Sequence, residues 1–301
     1  MRILLAGGNG QLGWELQRTL APRGEVHAPD REALDLRDLE AARQVVRRVE
    51  PDLVVNAAAF NDVDGAESEP EVARRVNAEA PGALAEEAAR LGVPLIHYST
   101  DYVFGGEKEE PYAEEDEPAP VNAYGQSKLD GERAVAQSGA AHFIFRLSWV
   151  YASRRSNFVT TMLRLFRERD EVQVVDDQWG SPTWCRTPAE VTAQLLAGIR
   201  AAGSDLADGV REHGGLYHLA ARGNVTRYEQ ARAVQRHAHR LEPDPGYDRC
   251  DIGSIPATEY PTEAERPRST HLSSARLEQA FGFSLPGWEE DLIRCLQDRF
   301  S

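Results

Sequence analysis

At 301 residues the chain is long enough for one large or two moderate domains around a substantial core. Its 34 basic and 49 acidic residues leave a net charge of −15, which excludes a general nucleic-acid-binding surface and reads as solubility. No run of about 18 apolar residues is present to span a membrane, and Cys185, Cys250 and Cys295 are too few and too scattered for a disulfide framework or a metal set.

Residues 2–6, "RILLA", read as a buried strand, too short for a signal peptide, so a reducing cytoplasm is the expected compartment. The following turn carries Gly7, Gly8, Gly10 and Gly13, and from Leu12 the apolar residues Leu12, Leu16 and Leu20 recur at helical spacing. Strand, glycine turn and helix in this order aim free N–H groups and a positive dipole end at a pyrophosphate. Glycine serves where the backbone must approach the ligand most closely. The glycines fit two registers, G-x-G-x-x-G from Gly8 and G-x-x-G-x-x-G from Gly7. Such a turn predicts an acidic residue about 20 positions on, at the end of the second strand. Asp30, after "EVHA", stands there, with Arg31 beside it. Asp30 suits the ribose hydroxyls of NADH and Arg31 the 2′-phosphate of NADPH, so both cofactors stay open.

"LRDLEAARQVVRRVE" is an amphipathic helix and "DLVVNAAA" a third strand, whose alanines would let a cofactor lie close. Helical segments over "EPEVARRVNAEAPGALAEEAARLG" lead to a fourth strand, "VPLIHYST", which ends on the hydroxyls of Ser99 and Thr100. Strands alternating with helices of this length imply βαβ units and a parallel sheet. A loop rich in Gly, Glu and Pro then precedes the helix "AYGQSKLDGERAVAQSG" and the strand "HFIFRLSWV". Tyr124 and Lys128 are four residues apart in that helix and share a face. A phenol with a pKa near 10 is a poor proton donor at neutral pH, and a neighbouring ammonium would lower that value. Lys128 is one of only two lysines, with Lys108, in a chain of 32 arginines, so a lysine here answers a chemical need.

After Tyr151 the alternation weakens. "NFVTTMLRLFRER", "TPAEVTAQLLAGIRAA" (Pro188 in its first turn) and "TRYEQARAVQRHAHRL" are helical, "EVQVVDD" and "GGLYHLA" are strands, and residues 242–270 are irregular and proline-rich. The expected fold is α/β, a Rossmann-type doubly wound parallel sheet with a smaller, interleaved α/β substrate domain. Residues 1–150 form the dinucleotide-binding domain and 151–301 mainly the substrate domain, with later segments returning to the first.

Nearly end to end, the segments "GGNGQLGWELQ", "VVNAAAFNDVDGAESEPE", "HYSTDYVFGG", "YGQSKLDGE", "FRLSWVYA", "DDQWGSPT" and "ERPRSTHLSSARLEQAFGFSLPGWEEDL" are similar to one family. The chain resembles the extended short-chain dehydrogenase/reductase superfamily and, within it, the dTDP-4-dehydrorhamnose reductases. The resemblance implies that Gly7, Gly10 and Gly13 are the working glycines and the register from Gly8 incidental. It implies Gly10, Gln11 and Leu12 at the pyrophosphate and Asp30, Asp35, Leu36, Ala57, Ala58 and Ala59 along the rest of NADPH or NADH. Thr100, Asp101 and Trp149 would meet a nucleotide-sugar substrate. The implied reaction reduces the C4 ketone of dTDP-4-dehydro-L-rhamnose, with Tyr124 protonating the alkoxide, Lys128 tuning Tyr124 and holding the nicotinamide ribose, and Thr100 orienting the carbonyl. Leu147, Thr270 and Arg276 depart from the family's usual residues at positions expected to be peripheral. Some relatives bind Mg²⁺ at a dimer contact through glutamates. Glu15 matches one of them, but Arg186 stands near "SPTW" where another carboxylate is expected, which argues against a metal and leaves a homodimer open. Two alternatives stand beside this: a reductase or epimerase of another nucleotide-sugar, and a non-catalytic NADP-binding regulatory subunit. The second has no chemical need of Thr100, Tyr124 and Lys128 together.

Overall fold

The computed structural model describes residues 1–301. Its centre is a six-stranded sheet of β1 (Arg2–Ala6), β2 (Glu25–His27), β3 (Leu53–Asn56), β4 (Leu95–Thr100), β5 (His142–Leu147) and β10 (Gly215–His218). The order across the sheet is β2-β1-β3-β4-β5-β10 and every pairing is parallel. The winding therefore reverses between β1 and β3, and the crevice beyond the carboxyl ends there is where such sheets hold ligands.

Both faces of the sheet are covered, which is why its strands read as unbroken apolar runs. Ile3, Leu5, Leu53, Val55 and Ile96 face helices α1 (Gln11–Leu20), α8 (Arg186–Ala201) and α9 (Leu206–His213). Their alternates Leu4, Ala6, Val54, Leu95 and Ile144 face α2 (Leu39–Val49), α5 (Ala80–Leu91) and α6 (Ala123–Gln137). Two short helices, α3 (Val63–Ser68) and α4 (Pro70–Arg74), lead through a π-turn into α5.

A second core lies among α7 (Phe158–Glu168), α10 (Arg227–Leu241), α11 (Pro245–Arg249) and α13 (Trp288–Phe300). Three two-stranded ribbons border it. β6 (Val150–Tyr151) pairs with β9 (Thr183–Trp184), β8 (Trp179–Gly180) with β11 (Val225–Thr226), and β7 (Glu171–Val175) with β12 (Asp251–Ile255). Between these elements, α12 (Ala275–Phe281) returns to the sheet and packs Leu277 there. The stretch 242–270, expected to be irregular, contains α11 and β12. "DIGSI" is short, glycine-bearing and stopped by Pro256, so it shows no period of its own and is made a strand by pairing with β7.

Candidate active site

The glycine turn closes as Gly10 N–H donates to Gly7 O at 2.9 Å, with Gly7 at φ +81°. A Cβ on Gly7 would sit 2.5 Å from Ala58 N, and one on Gly13 only 2.0 Å from Gly7 O, so helix, turn and the end of β3 meet backbone to backbone. Gly8, expected to be incidental, is needed too, because its Cβ would lie 2.7 Å from Ala28 Cβ. A Cβ on Gly10 would meet nothing but Gly7 O, at 3.2 Å, and the space beyond is open. Helix α1 starts there with no side chain capping it, and the buried Gln11 Oε1 has no partner. Uncapped donors at an open turn fit the pyrophosphate of a dinucleotide.

The structure brings Ala57 and Ala58 beside this turn, Ala57 N–H donating to Ala6 O at 3.0 Å and Ala58 N–H to Asn56 Oδ1 at 3.1 Å, with Ala59 exposed next to them. Leu12 and Leu36 are buried in the cores on opposite faces of the sheet. Asp30 lies three residues past the end of β2, exposed, and accepts from Ala33 N–H at 3.0 Å. Asp35 is already engaged: the Arg37 guanidinium 2.5 Å away holds its carboxyl down at about 2.

β4 delivers Thr100 to the same edge. Its buried hydroxyl caps the turn that follows, accepting from Tyr102 N–H at 3.2 Å and donating to Asp101 Oδ1 at 3.1 Å. Asp101 also accepts from Ser148 Oγ at 2.7 Å. Burial raises the Asp101 pKa, while the hydroxyls of Thr270, Ser148 and Thr100 and the charge of Arg227 draw it back. Thr270, expected to be peripheral, is thus buried against a predicted substrate residue; Arg276 is paired at the surface with Glu115.

Asn122 caps α6 by accepting from Gly125 N–H at 2.8 Å, which sets Tyr124 in the first turn, edge-on to Tyr102 at 5.8 Å between ring centres. Burial raises the Tyr124 pKa further; contact with the Thr100 hydroxyl opposes this, and Asp101 and Tyr102 add to it. Lys128, 2% exposed, donates from Nζ to Tyr98 O at 2.6 Å, and burial draws it down to about 8 against the pull of Glu132. The expected lowering of the phenol by Lys128 is absent in this arrangement. The two side chains share a helix face, but the ammonium is turned towards the Tyr98 carbonyl, and Lys128 is not among the groups acting on Tyr124.

Just past β5, Trp149 stands at φ +43°, half-buried, its indole closing over Gly180. The guanidinium of Arg227, the first residue of α10, lies 3.5 Å from the centre of that indole and 5.0 Å from that of Phe158. Its side-chain hydrogen bond goes to Gln230 at 3.1 Å rather than to a carboxylate. Burial lowers its pKa to about 10, and Tyr102 and Asp101 work in the other direction. The buried Glu15 carboxylate is held by Arg18 and Arg186, each at 3.1 Å, and Arg186 also pairs with Asp298 at 2.7 Å. Two guanidiniums on one carboxylate do not fit a divalent cation there, and no cluster of three or more His, Cys, Asp or Glu is close enough to hold a metal.

A family model described as the RmlD substrate binding domain matches residues 1–300. The chain belongs to the RmlD family. It is 43% identical to the dTDP-4-dehydrorhamnose reductase of Burkholderia thailandensis over the whole of both chains. It is 42% identical to that of Escherichia coli K12, over 100% of this chain and 99% of the relative. Among solved structures, the dTDP-4-dehydrorhamnose reductase of Clostridium acetobutylicum superposes with a TM-score of 0.88 at 32% identity, 99% of each chain covered. The Bacillus anthracis enzyme, solved in complex with NADP, gives 0.86 at 32% identity with the same coverage. Like these relatives, the chain is an oxidoreductase of the short-chain dehydrogenase/reductase type with a Rossmann-like sheet.

Sequence reasoning missed Arg227 and Thr270. Arg227 is one arginine among 32, and its one cue is weak: a cation in the first turn of a helix, immediately after the cap Thr226, works against the helix dipole.

Proposed function

We propose that this protein reduces the C4 ketone of dTDP-4-dehydro-L-rhamnose to dTDP-L-rhamnose, using NADPH or NADH. The observation that carries the reading is the meeting of Thr100 and Tyr124 at the end of β4, with Lys128 one helical turn behind, in a chain that matches the RmlD family throughout. A bound nicotinamide supplies the hydride. Burial keeps the Tyr124 phenol protonated and therefore ready as an acid. An alkoxide is a stronger base than a phenolate, so the proton passes from Tyr124 Oη to the substrate O4 without prior activation. Thr100 Oγ1 orients that oxygen. Lys128 spends one N–H on Tyr98 O and keeps two for ribose hydroxyls.

The substrate side follows the same logic. Arg227, stacked on Trp149 with no carboxylate partner, supplies the counter-charge for the diphosphate of a nucleotide-sugar, and Asp101 bonds the sugar. On the cofactor side Gly10, Gln11 and Leu12 hold the pyrophosphate, and the exposed Asp30 and Arg31 decide between the two nicotinamide cofactors. We assign residues 1–150 mainly to the cofactor and 151–301 mainly to the substrate, with α8, α9 and β10 completing the cofactor half.

The test is oxidation of NADPH and NADH, followed by absorbance, with dTDP-4-dehydrorhamnose generated in place by the preceding enzymes. Tyr124→Phe should cost turnover at least about 100-fold while leaving cofactor affinity nearly unchanged. Full activity in that variant, or a preference of the wild type for UDP- or GDP-linked ketones, overturns the assignment. Cofactor binding without turnover on any sugar points instead to a regulatory subunit.

A further inference from the structure

Four buried polar side chains beneath the site take no part in the roles assigned above: Ser99, Glu132, Arg146 and His218, none more than 6% exposed. Ser99 and Arg146 are register partners on β4 and β5, and Arg146 and His218 are partners on β5 and β10. The three form a row across the sheet, one residue short of Thr100. Glu132, on α6, closes the row. Its Oε1 accepts from Ser99 Oγ at 2.5 Å and from Arg146 Nε at 2.9 Å, and its Oε2 accepts from Arg146 Nη2 at 2.7 Å. Arg146 Nη1 faces His218 Nε2 at 3.5 Å.

An ion pair this deep is weak evidence for stability, because an apolar pair of similar volume often does as well or better. Position supplies another reason for it. Glu132 lies one turn beyond Lys128 on the same face of α6. Lys128 bonds the carbonyl of Tyr98, and Glu132 bonds the hydroxyl of Ser99. Two successive turns of the helix are thus fastened to two successive residues of β4, immediately before Thr100, whose hydroxyl orients the substrate oxygen. Around Lys128 the ionisable neighbours are Tyr124 and Glu132 on its own helix and His97 on β4; Arg146 of β5 is reached through Glu132. Burial keeps His97 far below its ordinary pKa and so uncharged, and Glu132 is the one group that raises Lys128.

We propose that Glu132 is a positioning residue for the reduction: clamped by Ser99 and Arg146, it supplies the counter-charge of Lys128 and fixes α6 against the end of β4. The proposal rests on the role given above to Lys128.

With only two lysines in the chain, the test can be direct. In protein labelled with carbon-13 at the lysine ε-carbon, NMR shows two signals, and Lys108→Arg identifies that of Lys108, half-buried and paired with Asp116. Lys128 should titrate near 8 in the wild type. In Glu132→Gln its proton affinity should fall about tenfold, and the alkaline limb of kcat should move to lower pH by the same step. The pair Glu132→Leu with Arg146→Met replaces the ions by apolar volume and guards against a misfolded single variant; it should show a displacement of the same sign, smaller because the Arg146 charge leaves with that of Glu132. Ser99→Ala, which removes one bond only, should show a smaller displacement of the same sign. An unmoved Lys128 titration in any folded member of the set overturns the proposal. That titration is read without substrate, so its failure is distinct from failure of the sugar assignment, which is read from wild-type turnover.

Discussion

A half-buried guanidinium with no carboxylate paired to it carries a desolvation cost that an incoming anion offsets, and Arg227 is in that state against Trp149. Arg227→Gln should therefore raise KM for the sugar nucleotide by about 10- to 100-fold, with kcat and NADPH affinity little changed and thermal stability equal or higher. Steady-state kinetics at saturating NADPH, beside a melting curve, checks both halves. Two glycines give a paired forecast. Gly13→Ala drives a Cβ against the Gly7 carbonyl and should lose both stability and cofactor binding. Gly198, exposed in the last turn of α8 with nothing near its Cβ, should accept alanine with a gain of about 0.5–1 kcal/mol. Chemical denaturation of the two variants separates a glycine needed for close approach from one that merely weakens a helix. At this scale Tyr124 and Lys128 were legible because spacing on a helix survives folding unchanged. Their electrostatics were not, since which way an ammonium turns depends on a carbonyl 30 residues away, that of Tyr98. Arg227 and Thr270 were illegible for the same reason: each gains its meaning from a partner, Trp149 or Asp101, that only the fold supplies.

Among the elements, α10 has the most to do with the substrate side. Thr226 Oγ1 accepts from Glu229 N–H at 3.1 Å while Glu229 Oε2 accepts from Thr226 N–H at 2.9 Å, a reciprocal cap that aims the first residue of the helix, Arg227. Thr226→Ala should cost about 1 kcal/mol of stability and also raise KM for the sugar nucleotide, because the cap and the binding residue are neighbours. A cap variant that lost stability with KM untouched would separate the two. Most strands of the sheet were legible as apolar runs, and helices such as α1 and α2 by their helical repeat; α9, eight residues long, was not read. β6, β8, β9 and β11 have two residues each and show none; they exist because neighbouring segments pair with them. α13 does carry apolar residues at helical spacing, Trp288, Leu292, Cys295 and Leu296, but it was legible only as a segment similar to a family.

For the whole molecule, buried titrating groups set the response to acid. Burial lowers His97 well below its ordinary pKa and His218 to about 3, so both stay neutral in the folded protein. The unfolded chain takes up those protons below about 6.5, so stability is lost as pH falls, by about 1.4 kcal/mol per pH unit for each histidine. Asp291 acts in the opposite sense. Burial raises it to about 6, so between pH 6 and 4 the folded state holds a proton that the unfolded chain has released, and acidification favours folding there. Asp291→Asn, which can still accept from Thr187, should be more stable than wild type near pH 7–8 by about 1–3 kcal/mol. It should then lose stability more steeply between pH 6 and 4. Unfolding midpoints across pH 4–8 test this; parallel curves for the two proteins would refute it.

β10 seals the edge of the sheet beside β5, yet in the chain it follows the first helix and strands of the other core. The polypeptide is made from one end. After Leu147 has been added, ribosomes working at about 5–20 residues per second need on the order of 10 seconds to reach Gly215. Throughout that interval β5 has an open edge and Arg146 lacks His218, and for its first part α1 lacks the cover of α8 as well. The half of the protein that is synthesised first therefore cannot close when β5 is complete, and the nascent chain must keep a bare strand from every other partner until its own sixth strand arrives.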